Sequence, residues 1–127
     1  MTDTNISELN IFISCTEGMF VNMSLEKENG KCLVYYCYGS PDTREDGQLR
    51  HPAEMFDTLT ESVDKFVHKE IETALPDNFK FKIGFTTADG ATEEYTGIDR
   101  NAFMELLMEI SNNIEEFAFV NGFRYYL

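Results

Sequence analysis

The chain offers few side chains whose types and spacing could do chemistry. Its two histidines, His51 and His68, stand 17 residues apart. Asp64 lies four residues before His68, one helical turn away. A structural zinc needs four ligands and a catalytic one three, so no metal site is expected. Cys37 and His51 could be imagined as nucleophile and base, yet Cys37 falls in an apolar segment and reads as an inert buried thiol. The serines form no Gly-x-Ser-x-Gly elbow, and no glycine-rich loop joins a strand to a helix to cradle phosphate. Pairs of carboxylates are plentiful, but 23 acidic residues in 127 guarantee them by frequency. No catalytic residue is assigned, no cofactor is implied, and an enzyme is the least favoured reading.

Charge says more than any motif. Ten basic residues against 23 acidic ones give a net charge of −13. Nucleic acid and anionic membranes are held through Lys and Arg, so neither is an expected partner. A basic protein partner is favoured, because an anionic surface steers it inward. Plain solubility explains the same composition equally well. Both helices carry carboxylates on their outer side, with Glu105, Glu109 and Glu116 on the second, and two groupings are candidates for a partner. Glu54, Asp57, Glu61 and Asp64 recur at spacings of three, four and three, which stacks them along one ridge of a helix, with Lys65 set to pair with Glu61. Asp42, Glu45 and Asp46 lie in 39–51 (GSPDTREDGQLRH), which reads as an exposed acidic loop because it holds Pro41 and two glycines. These seven residues are the candidate partner-binding set. Met104 and Met108 fall off the apolar stripe of a second helix and form a candidate secondary contact patch.

The elements that must position them follow from periodicity. Leu9, Ile11, Ile13 and Cys15 alternate with polar residues, as do Met19, Val21, Met23 and Leu25, so both runs are strands with one face toward a core. A three-residue loop, Thr16-Glu17-Gly18, is required to set Ile13 against Val21 and Leu9 against Leu25. Asn29-Gly30 marks the next hairpin. The third strand, Cys32 to Tyr38, is apolar on both faces. It reads as a strand covered on both sides, with a partner chain on its second face as the alternative.

Pro52 to Leu75 reads as a helix with Phe56, Leu59, Val63, Phe66, Val67 and Ala74 on one stripe. Glu70 breaks that stripe, and a carboxylate there is expected to reach solvent near the helix end. Phe79, Phe81, Ile83 and Phe85 mark a half-buried strand, and Asp89-Gly90 a hairpin turn into a polar edge strand ending at Ile98. Asp99 is a good N-cap for a second helix whose stripe runs from Phe103 to Phe117. Phe123 to Leu127 is too apolar for a free tail and should add a strand or pack on the sheet. The expected fold is α+β: an antiparallel sheet, built from a three-stranded meander plus a hairpin, under two amphipathic helices on one face, in the order βββαββα(β).

The length suits one domain spanning 1–127. Met1 to Asn5 lack the basic and apolar regions of a signal peptide, and three cysteines without a Cys-x-x-Cys fit a reducing compartment, so a cytoplasmic location is expected. In outline the layout resembles bacterial immunity proteins that block nuclease toxins, and that resemblance implies an acidic inhibitor whose carboxylates stand where a nuclease expects phosphates. It is also similar in layout to acidic homodimeric secretion chaperones, although no helix precedes the first strand here. That alternative implies a homodimer that binds an extended client segment.

Overall fold

The computed structural model describes residues 6–15, 18–40 and 42–127. Four strands come first: β1 (Ile6–Ser14), β2 (Phe20–Glu28), β3 (Lys31–Gly39) and β4 (Arg44–Pro52). Helix α1 (Ala53–Val67), a hairpin of β5 (Lys80–Thr87) and β6 (Thr92–Tyr95), helix α2 (Arg100–Asn113) and a 3₁₀ run (Glu115–Tyr126) follow. One six-stranded antiparallel sheet has the order β4-β3-β2-β1-β5-β6. The α+β class and the strand hairpins are as the alternation dictates.

β1 sits inside the sheet and sets its register. Leu9, Ile11 and Ile13 stand opposite Leu25, Met23 and Val21 on one side and opposite Phe85, Ile83 and Phe81 on the other. Apolar residues therefore line up in rows across three strands, which is what one buried face demands. The residues Thr16 and Glu17 of the proposed three-residue loop lie outside the described residues, but its flanks agree with it. Cys15 donates to the Met19 carbonyl at 3.0 Å and Gly18 has φ +77°. Asn29 and Gly30 both have positive φ, +51° and +76°, the geometry that carries a two-residue hairpin.

Helix α1 covers β2 to β4, and α2 covers β5 through Phe103, which meets Phe79 and Phe81 edge-on at 5.6 and 5.9 Å between ring centroids. The 3₁₀ run continues the cover over β3. Phe117 meets Tyr36 edge-on at 5.4 Å, and Phe119 lies against Tyr38 at 4.4 Å. Among the described residues no helix lies on the opposite face of the sheet. All three covering segments share one core, in which Leu59, Val63, Phe103, Leu106, Leu107 and Ile110 are each fully buried or nearly so. Each such side chain contributes about 1.5–3 kcal/mol relative to leaving it exposed.

Four expectations are corrected. Residues 39–51 are not an exposed acidic loop. They hold the turn after β3 and then β4, which pairs with β3 without interruption from Gly39↔Arg44 to Lys31↔Pro52. Gly47 has a use there that a loop glycine lacks. A Cβ on it would come within 2.6 Å of the Tyr36 hydroxyl, so its absence lets that ring lie across β4. The third strand is covered on both sides only in part: Cys32 and Val34 are buried in the core, and on the other face Leu33 is buried whereas Tyr35 is 41% exposed. The second helix stops at Asn113, and the chain beyond it runs in 3₁₀ turns broken by a kink at Phe117, with Phe117, Val120 and Phe123 buried. Phe123, Tyr126 and Leu127 thus pack against the core, Tyr125 stands in solvent, and the segment adds no strand.

The first helix ends at Val67 rather than Leu75. Tertiary hydrogen bonds outcompete helix in 70–75. Asp99 caps α2 by accepting from Asn101 and Ala102 through Oδ2 at 3.1 and 3.4 Å. Its Oδ1 accepts from the backbone N–H groups of Glu72 and Thr73 at 3.0 and 3.1 Å. The Arg100 N–H donates to the Thr73 carbonyl at 2.8 Å. A continued helix would have spent these groups internally, and Ile71 and Thr73 are weak helix formers besides. The backbone N–H donors from Thr73, Glu72, Ala102 and Asn101 hold the Asp99 carboxyl below its usual range.

A depressed carboxyl contributes stability above its unfolded pKa, and that contribution is lost as pH falls through its lowered folded value. Asp99→Asn is expected to lower the melting temperature at pH 7 by on the order of 5 °C. The gap to wild type should close as the buffer is taken well below pH 4, measured by thermal melts across pH.

Candidate interaction surfaces

Helix α1 leaves β4 directly at Pro52, whose fixed φ of −59° suits the residue before a helix. Its apolar stripe buries Phe56, Leu59, Val63 and Phe66, and this rotation turns Glu54, Asp57 and Glu61 to solvent. Asp57 is paired with Lys27 of β2 at 2.7 Å. Among the described residues no ion pair joins Glu61 to Lys65, which lies over the Phe66 ring instead, 5.8 Å from its centroid. The exposed ridge therefore holds three of the four expected carboxylates.

Asp64 is the exception, at 8% exposure. Its carboxylate stands 3.3 Å from His68 Nδ1, and its backbone carbonyl 2.7 Å from the same nitrogen. His68 Nε2 lies 2.9 Å from the Tyr95 hydroxyl, which also donates to Glu93. Asp64 thus belongs to a polar chain that ties the end of α1 to β6, and it is withdrawn from the exposed set.

The acids of 39–51 occupy a different part of the molecule. Asp42, Glu45 and Asp46 are all exposed. Glu45 alternates to the helix side and accepts from the Tyr38 hydroxyl. Asp46 stands opposite Cys37 on the uncovered face, with Arg44, Gln48 and Arg50 of the same strand. Thus Asp46 does not share a surface with the α1 ridge. Met108 is 50% exposed on α2 and Met104 is half-buried. Lys69, just past the end of α1, reaches Glu105 of α2 at 3.4 Å.

The uncovered sheet face differs in charge from the helical side. Strand alternation puts Glu8, Glu26, Glu28, Asp46 and Glu94 on it together with Lys31, Arg44, Arg50, Lys80 and Lys82. Lys82 and Glu94 pair at 3.0 Å. At its centre Asn10 Nδ2 donates to Ser24 Oγ at 2.9 Å, to the Met23 carbonyl at 3.2 Å and to Asn22 Oδ1 at 3.3 Å. An open groove of about 500 Å³ runs beside this cluster, between Asn22, Ser24, Tyr35, Cys37, Asp46 and Gln48.

The side chains considered for catalysis do not converge. His51 lies on β4 and stands 3.3 Å from Glu116, whereas His68 meets β6, at the opposite edge of the sheet. Cys37 and His51 face opposite sides of the sheet. The thiol opposite His51 is Cys32, which is fully buried, and burial pushes its pKa up to about 11. Glu70 is exposed beyond the end of α1. Among the described residues no group of three His, Cys, Asp or Glu side chains stands close enough to hold a metal ion, and no helix is long and apolar enough to cross a membrane. Comparison of the chain with protein-family models, curated proteins and solved structures finds no match.

Sequence reasoning missed the Asp64–His68–Tyr95–Glu93 chain, although Asp64 and His68 at one turn's spacing were its visible half. Desolvation, with the Glu93 carboxylate beside it, pushes the Tyr95 phenol up to about 12. A raised folded pKa contributes stability that is fully present below the unfolded value near 10 and is lost as pH rises through about 12. Tyr95→Phe should therefore lose stability at neutral pH and show a shallower decline than wild type between pH 10 and 12, followed by urea denaturation at each pH.

Proposed function

We propose that the protein is an acidic protein-binding domain that docks on a basic partner through the outer face of α1 and neutralises it. The observation that carries this reading is the uneven division of charge over the two faces. The uncovered sheet face balances Lys31, Arg44, Arg50, Lys80 and Lys82 against Glu8, Glu26, Glu28, Asp46 and Glu94. Over α1, Glu54, Asp57 and Glu61 lie in one exposed row, with Lys27 as the one ion-pair partner of that row among the described residues. A charge excess acquired only for solubility has no reason to avoid one face. A row of carboxylates on a rigid helix also holds its spacing, which favours a partner whose cations are fixed, as in a site built to grip a polyanion. That is the behaviour implied by the outline resemblance to immunity proteins that block nucleases.

Of the set inferred from sequence, Glu54, Asp57 and Glu61 carry the proposal; Asp64 is buried and Asp46 faces away, while Asp42 and Glu45 remain exposed at the β4 edge. The inhibitor reading needs no catalytic group. A cytoplasmic site of action belongs to the same proposal.

The test is affinity capture from a lysate of the source organism. It compares wild type, the triple reversal Glu54→Lys, Asp57→Lys, Glu61→Lys, and a control reversal of Glu8 and Glu26 on the sheet face. Wild type and control should retain one basic protein at one-to-one stoichiometry, released by rising salt. The triple reversal should slow association with it by about tenfold or more at low ionic strength. Binding that survives the triple reversal unchanged would remove α1 from the interface.

A further inference from the structure

The two edges of the sheet are built differently. β6 is a four-residue strand carrying Glu93 and Glu94, the usual way of discouraging a further strand. β4 is nine residues long, pairs with β3 without a bulge, and has no proline before its last residue. Among the described residues no strand pairs with its outer edge, so a row of backbone donors and acceptors is left open.

Its charges are arranged about one residue. Asp46 and Arg50 lie two positions either side of Gln48, so all three point to the same face. Both charged side chains are exposed, and among the described residues neither has an ion-pair partner. Four residues of strand, about 13 Å, keep them from pairing with each other. When β4 meets β4 of a second copy antiparallel, with Gln48 opposite Gln48, Asp46 of each copy stands opposite Arg50 of the other. The same register places Leu49 opposite Gly47, a larger side chain against the position that has none. A neighbouring register centred on Gly47 would set Arg44 against Arg50 and is repulsive.

We infer that β4 is a dimerisation edge: two copies of the chain pair through antiparallel β4 strands centred on Gln48, joining their sheets into one and closing two Asp46–Arg50 pairs. The charge of the whole molecule makes this location selective. A chain at −13 repels its own copy over most of its surface. β4 carries Arg44 and Arg50 against Glu45 and Asp46 and is locally neutral. More distant charges are screened within about 8 Å at physiological ionic strength. Phe119, 37% exposed and tilted against Tyr38 beside this edge, would lose further surface on pairing. The inference does not depend on the α1 reading, because the β4 edge and the α1 ridge share no residue.

Sedimentation velocity over a range of concentrations tests it, with folding followed by near-ultraviolet circular dichroism. Wild type should show a monomer–dimer equilibrium. Asp46→Arg alone and Arg50→Asp alone should each weaken it about tenfold, since each turns two attractive pairs into repulsive ones. The double variant Asp46→Arg with Arg50→Asp should restore it, because the exchanged charges again face each other. A wild-type monomer at every concentration overturns the inference. So does a dimer indifferent to both single changes, or a folded double variant that stays monomeric. If the double variant does not fold, Gln48→Cys decides: mild oxidation should cross-link two copies through Cys at the symmetry axis, and no cross-link above the wild-type level overturns the inference.

Discussion

The structure depends on one constraint, the burial of a single face of β1. Leu9, Ile11 and Ile13 are wholly inaccessible, and each is flanked by an apolar residue on both neighbouring strands. A slip of one residue in either pairing would send these side chains to the uncovered face and set Asn10 and Phe12 against the helices. The cost of that slip fixes the register of three strands, and through the hairpins it fixes β3, β4 and β6. The helices then have one place to go. α1 must leave β4 at one edge and reach β5 on the far side of β1, so it crosses over the buried face and leaves the other open.

That one-sided cover also organises the charge. A carboxylate on the outer side of α1 is separated by a helix and a sheet from any residue on the uncovered face, and the two surfaces present different partners with different chemistry. One is a row of acids on a rigid element. The other is polar and balanced, with hydrogen-bonding amides and hydroxyls at its centre and an unguarded edge along β4. Asp64 and Asp99 show the opposite use of the same residue type. Both are buried, and both spend their oxygens on joining elements, Asp64 through His68 and Asp99 through four backbone amides. Counting acids therefore overstates the surface available to a partner.

Much of the sheet was legible in the residues. The β1–β2 register follows from matching Ile13 to Val21, and Asn29-Gly30 and Asp89-Gly90 mark turns because they tolerate positive φ. β4 was not legible. Its Arg44, Glu45, Asp46, Gly47 and Gln48 form no apolar alternation, because an edge strand with one face in solvent and Tyr36 filling the place of a side chain on the other has little to bury. The helix end at Val67 was hidden for a related reason. The residues that stop it are Glu72 and Thr73 bonding to Asp99, far along the chain, and the local sign was Glu70 standing in an apolar stripe where no helix continued. The buried state of Asp64 depended on β6 approaching from the other end of the sheet, which spacing along α1 could not express. Of the candidate surface, the three outer α1 carboxylates were readable from helical periodicity alone.

The central proposal is that the exposed carboxylate row Glu54, Asp57 and Glu61 on the outer face of α1 is the surface that receives a basic partner. The most direct measurement is a titration of isotopically labelled protein with oligolysine, followed residue by residue in amide NMR spectra at low salt and repeated at high salt. The account predicts shifts clustered along α1 around Glu54, Asp57 and Glu61, absent from the uncovered faces of β1 and β2, and suppressed by salt. Shifts spread evenly over both faces, or centred on the uncovered sheet, would contradict it.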